Sequence, residues 1–399
     1  MNRAFNGRGL RRTLTLVAAG AATLAVAGGS AVAATHSSSS TAASCVTKAN
    51  TPVRAGHLSG IIGAQPATAA CEAANPNAGQ NAIGDPPLIW HGGAVMGTAL
   101  TGPVVITPIF WTPAGHQMAS SYTSLVTQYV NDVAAASGST NNVYSILTEY
   151  SGSDGQIVYN IKAGAPITDT NPLPKDGCKL NSEDTSAIYA DGSGYSACLT
   201  DAQVQAEINS VVAAQKLPVN LTHIYAVYLP KGVESCFASG VTTNTQKGQQ
   251  ACTINYQPSA AFCAYHSQAP NGLEYANMPF PIYFSGTGFT CGSNARRAGF
   301  GGQLQSPNNN PDGDTVINPT SHETNELITN PDNNGVTASG WFDAAGFENG
   351  DECNFVFGTP QGTAGQFFNQ VINGHHYLTQ EEFSNASFFA SGGGCLQRP

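Results

Sequence analysis

The stretch SHETNELITNPDNN, residues 321–334, sets His322, Glu323 and Glu326 close together in a chain whose charged residues make up only 10%. On a helix, residues four apart project from one face, so His322 and Glu326 can share one cation. Glu323 follows the first ligand directly, where the base of an H-E-x-x-H protease stands. In that arrangement a metal acidifies water and the glutamate accepts its proton. A carboxylate can replace the second imidazole, because Asp and Glu are accepted zinc ligands. A third ligand is expected downstream in GWFDAAGFENGDEC, with Glu348 preferred and Asp351 and Asp343 behind it. One histidine among several carboxylates suits zinc, and also manganese or a structural calcium. The competing structural expectation is that Glu323 and Glu326 merely solvate a helix N-terminus, where acids favour the dipole.

The elements around these residues follow from periodicity and punctuation. Asn318-Pro319-Thr320 reads as a capped helix start with Pro where its missing N–H does no harm, and Pro331 as the stop. PVVITPIFW (103–111), GQIVYNIKA (155–163), LTHIYAVYLP (221–230) and MPFPIYFSG (278–286) read as strands. Leu125, Tyr129 and Val133 recur at helical spacing, and Thr200 caps a helix through DAQVQAEINSVVAAQK. Residues 287–320 read as a long Gly/Asn/Pro-rich loop. Strands alternating with helices predict one large α/β domain with a mixed β-sheet flanked by helices, carrying a metallopeptidase-like helix.

The N-terminus reads as a secretory signal. Arg3, Arg8, Arg11 and Arg12 precede a short run of small apolar residues and an A-x-A site ending at Ala33. The expected organisation is a signal peptide over 1–33, exported by the Sec or the twin-arginine route, a flexible linker or pro-segment over 34–82, and the α/β domain over 83–399. Loss of the first 33 residues leaves 11 basic against 25 acidic side chains, a net charge near −14. Such a surface repels nucleic acid and anionic membranes, so neither is an expected partner. A secreted, extracellular monomer acting on a peptide or wall-type substrate is expected. Ten cysteines without a C-x-x-C pair favour disulfides over zinc clusters in an exported chain. Cys178 with Cys198, Cys353 with Cys395 and Cys45 with Cys71 are candidate pairs.

Other motifs carry less. HGGA (91–94) has the look of an esterase oxyanion loop, but no G-x-S-x-G accompanies it, and a Gly-Gly turn is the expectation. FCAYHS offers Cys263 and His266, which a Cys–His enzyme would need as spatial neighbours; an oxidised cysteine is expected instead. His375-His376 reads as an exposed pair and Arg296-Arg297 as a loop charge. Any two acids could serve a glycosidase, so that signal is unspecific.

The blocks HGGAVMG, PIFW, IYAVYLP, FCAYHS, SHETNELITNPDNN, GWFDAAGFENGDEC and YLTQEEFSNAS resemble, in this order, the EXORDIUM or phosphate-induced protein family. Its bacterial secreted relatives carry H-E-x-x-E-x-x-T-D-P followed by W-x-D and E-x-x-D-x-C. The resemblance covers residues 85–395 in blocks and falls on His322, Glu323, Glu326, Asp343, Glu348, Asp351 and Cys353. Asn330 stands where the family carries Asp. The resemblance implies secretion and an acid-rich site; the plant members, extracellular and growth-associated, imply a non-catalytic wall- or surface-binding protein as the alternative to a hydrolase.

Overall fold

The computed structural model describes residues 53–55, 58–60, 84–175, 177–180, 188–237, 252–253, 262–283, 290–293, 300, 302–331 and 339–399. Cys45, Cys71 and Arg296-Arg297 lie outside them. The chain divides into Met1–Ser39, which holds no described residue, and Ser40–Pro399.

The main sheet of the described residues has eight strands: β1 Val53–Ala55, β2 Leu58–Gly60, β3 Val104–Trp111, β4 Ile161–Ala163, β5 Ile167–Asp169, β6 His223–Tyr228, β7 Tyr265–Gln268 and β8 Glu274–Met278. Their order is β1-β2-β7-β8-β6-β3-β4, with β5 also on β3. From β8 to β4 and β5 the pairings are parallel, whereas β7, β2 and β1 add antiparallel. A mixed sheet flanked by helices is therefore present. The β1–β2 hairpin falls inside the 34–82 segment and gives it two strands.

Alternation along the strands divides the core into two layers. Ile224, Ala226 and Tyr228 of β6 face one layer with Val104, Ile106 and Phe110 of β3. Tyr225 and Val227 face the other with Ile109 and Trp111. Helix α1, Ser120–Ala135, covers the first face through Tyr122, Leu125, Val126, Tyr129 and Val133. Burying each such side chain contributes about 1.5–3 kcal/mol. Helix α2, Asp201–Ala214, covers the second through Val204, Ile208, Val211 and Val212. It starts at Thr200, as expected, with a capping box completed by Gln203.

The third helix departs from expectation. Helix α3 spans Pro311–Thr329, so it begins eight residues before Pro319, inside the stretch expected to be loop. Asn310 caps it by accepting from Gly313 N at 3.2 Å, Pro311 occupies the first turn, and Asp312 and Asp314 follow. That start carries every signal the Asn318-Pro319 pair carries, plus two acids for the helix dipole. Pro319 is accommodated inside the helix, where it forgoes one backbone bond. The C-terminal limit is near the expected one: Asn330 caps it, its side chain linking Thr329 Oγ1 at 2.6 Å and Ser339 O at 3.3 Å.

Two strand expectations fail in part. Of 155–163, only Gly155–Gln156 and Ile161–Ala163 are strand. In MPFPIYFSG the strand ends at Met278, because Pro279 and Pro281 lack the N–H a ladder needs, and residues 284–286 of that stretch lie outside the described residues. Four disulfides tie the described chain: Cys178–Cys198, Cys236–Cys252, Cys263–Cys291 and Cys353–Cys395. Among the described residues no helix is long and apolar enough to cross a membrane.

Candidate metal centre

Helix α3 is polar yet buried from Gly313 to Thr329. A buried polar helix survives only if its side chains find partners. Many do so on their own helix: Thr320 Oγ1 donates to Val316 O at 2.8 Å and Thr324 Oγ1 to Thr320 O at 2.7 Å. Tyr144 and Tyr228 hydroxyls meet Thr324 and Thr320 at 2.7 and 3.1 Å, anchoring the helix to the strand and 3₁₀ segments below. These contacts fix its rotation, and that rotation turns His322, Glu323 and Glu326 to one shared centre.

Two ligand sets meet there. In the first, His322 Nε2 lies 3.1 Å from Glu326 Oε1 and 3.8 Å from Asp351 Oδ1. Asp351 comes from α4, the single turn Asn349–Glu352, and its backbone N–H donates to Glu326 Oε1 at 3.0 Å. In the second, His266 Nδ1 lies 2.9 Å from Glu323 Oε2 and 3.4 Å from Glu326 Oε2. Its other nitrogen lies 3.5 Å from Glu348 Oε2. Within each set, His266/Glu323/Glu326 and His322/Glu326/Asp351, the ligand atoms lie within 4.8 Å of one another.

The α4 turn approaches through a glycine for a steric reason. A Cβ at Gly350 would stand 2.7 Å from His322 Nδ1 and 3.0 Å from Glu326 Oε1, closer than packed atoms tolerate. Gln380 holds the turn from outside, donating to Gly350 O at 2.6 Å, and Cys353–Cys395 locks the chain immediately after it.

Electrostatics favour cations at this point. Burial alone would lower the His322 imidazole, but Glu326 outweighs it and pushes the ring up to about 10. Burial opposes His266 likewise, and Glu348 and Glu323 raise it well above the usual imidazole range. Burial would raise Glu326, yet His322 and His266 hold it down at about 2. Burial raises Glu323, against the pull of His266. Glu382, buried behind the centre, is pushed well up by burial and only partly relieved by His322.

The donor set fits a divalent metal. Neither ring nitrogen of His322, nor His266 Nε2, nor Glu326 Oε2 makes a well-aligned hydrogen bond, although all are buried. Such atoms are rare in a folded protein unless something else satisfies them. His322 Nε2 and Glu326 Oε2 face neighbouring ligand atoms at 3.1 and 3.4 Å, as donors around a common ion do. Imidazole and carboxylate together suit zinc or manganese. Two clusters that include cysteines, Cys178/Cys198/Cys236 and Glu234/Cys236/Cys252, are built on disulfide sulfurs rather than thiolates.

The expected residues are thus largely brought together, with three changes. Asp351 rather than Glu348 joins His322 and Glu326; Glu348 faces His266 instead. Asp343 lies in neither set: it accepts from Phe347 N at 2.7 Å and from Asp85 N, beside Glu352. Burial and Asp343 push Glu352 up to about 8, and Gly84 N donates to it at 2.7 Å. Glu323 and Glu326 do not solvate a helix start, since both sit deep in the helix and are wholly buried.

His266 is the residue that motif spacing misses, because it stands 57 positions from Glu323. Strand alternation was the available signal: Tyr265 packs into the second core layer, so His266 must face α3. Cys263 is oxidised with Cys291, which leaves no Cys–His pair. His91 stacks on Phe342 at 3.5 Å, and Gly92 and Gly93 turn with φ of 93° and 88°. His375, half-exposed, pairs with Asp132 at 2.7 Å.

Comparisons with protein-family models, with characterised proteins and with solved structures return no match for this chain.

Proposed function

We propose that this chain is an exported metal-dependent hydrolase, of the zinc-peptidase type, similar to the bacterial EXORDIUM-like proteins. The observation that supports this is the buried His322/Glu326/Asp351 set with Glu323 next to it on the same helix. A bound divalent cation would supply Lewis acidity toward water and a substrate carbonyl. Glu323 takes the proton released by the attacking water and hands it to the leaving amine. Burial raises its basicity for that task, and His266 holds its carboxylate in place at 2.9 Å.

Metal analysis of the purified mature protein tests the reading, with Glu326→Ala beside it. Stoichiometric zinc or manganese in the wild type and its loss in the variant are expected. A wild type that holds no metal and takes up none on titration overturns it. Glu323→Gln is expected to lower turnover in a peptide-hydrolysis screen by roughly 100-fold or more, with chelation abolishing what remains.

One observation favours a non-catalytic alternative. His266, His322, Glu323 and Glu326 are each 0% exposed, so a polymeric substrate reaches Glu323 only after the surrounding chain moves. An open surface depression of about 400 Å³ elsewhere, where Phe110 and Pro166 adjoin Thr123, Thr127, Gln128 and Asn131, offers an extracellular partner a seat of mixed polar and apolar character. On this reading the centre is structural, and Glu323→Gln leaves partner binding unchanged.

A further inference from the structure

We infer that the centre holds two divalent cations, with Glu326 shared between His322/Glu326/Asp351 and a second site formed by His266, Glu323 and Glu326. The inference rests on the metal reading above and goes beyond it in stoichiometry and in regulation.

Three observations carry it. Glu326 turns a different oxygen to each imidazole, Oε1 to His322 at 3.1 Å and Oε2 to His266 at 3.4 Å. That is the disposition of a bridging carboxylate, as two-metal hydrolytic sites use. The two imidazoles fall in different ligand sets. Ligand atoms about 2.1 Å from one zinc can be no more than ~4.2 Å apart, so sets sharing only Glu326 call for separate ions. Finally, His266 has the surroundings of a metal-bound histidine: Nδ1 faces two carboxylates, and Glu348 stands 3.5 Å from the opposite nitrogen to orient the ring.

Four buried carboxylates, Glu323, Glu326, Glu348 and Asp351, converge on the two imidazoles, an excess of acid that bound cations offset. Loading that second site engages the carboxylate of Glu323 as a ligand and withdraws it from proton transfer. The singly loaded protein is then the active form, and excess cation inhibits.

The test is metal counting on the mature full-length chain, titrated with zinc and followed by calorimetry and elemental analysis. Two zinc ions per wild-type chain and one in His266→Phe are expected. The manganese-loaded wild type is expected to give the spin-coupled paramagnetic resonance signal that only ions sharing a ligand produce. One ion in both proteins, with an uncoupled manganese signal, overturns the inference while leaving the single-metal reading intact. No ion in the wild type overturns both. His322→Phe guards against a misfolded variant: it is expected to retain one ion, held by His266, and its loss of all metal with the fold intact counts against the second site.

Discussion

At the scale of single residues, the centre depends on atoms that are buried, charged and mutually compensating. Removing one member leaves its partners uncompensated, which is more damaging than the pair is stabilising. Gly350 shows how little room is left, because its missing Cβ is what admits the α4 turn. Gly350→Ala is expected to push the turn from His322, destabilise the fold by about 1–3 kcal/mol and weaken metal retention. Denaturant unfolding with and without zinc checks both effects. An unchanged midpoint and unchanged zinc affinity would show that the turn does not define the site. The third-ligand choice was ambiguous in sequence for a residue-scale reason. Glu348, Asp351 and Asp343 are chemically equivalent donors within nine residues, and only their backbone direction separates them.

At the scale of elements, α3 is the device that sets the geometry. Its spacing of His322 and Glu326 was legible, since four residues always return to one face. Its start was not, because two Asn-Pro pairs compete and only packing chooses between them. Asn310→Ala is expected to cost about 1 kcal/mol, as loss of a helix cap does, and to leave metal binding intact. Thermal unfolding of the variant reads this directly; a neutral result would place the effective start elsewhere. The β7 strand contributes His266 through register: it pairs with Ala276 of β8 and so points to the α3 layer. Nothing local to FCAYHS states which strand lies beside it.

At the scale of the whole molecule, the chain stabilises an unusual density of buried acid. Glu381 is 8% exposed, and burial pushes its carboxyl up from an ordinary 4.5 to about 8. The native state therefore keeps its proton across that interval while the unfolded chain has released it. The unfolded state binds fewer protons there, so stability is highest below about pH 4.5 with respect to this group and falls as pH rises toward 8. The loss is a few kcal/mol, on the order of 5 at most. Glu381→Gln is expected to flatten this pH slope relative to wild type in urea titrations. Parallel slopes for the two proteins would remove Glu381 as the cause.

Taken by itself, the sequence determined what depends on neighbours within a few turns. Those are the apolar periods of β3, β6 and α1, the capping box at Thr200 and the placing of His322 and Glu326 on one face of α3. Tertiary structure alone decided which distant groups converge. It set His266 against Glu323, chose Asp351 for His322, turned Glu348 to His266 and sent Asp343 to Glu352. It also decided the burial that perturbs every one of these groups. The physical reason is that helix and strand periods are properties of adjacent residues. Convergence instead depends on sheet register and on the rotation of a packed helix, which no short stretch of chain encodes.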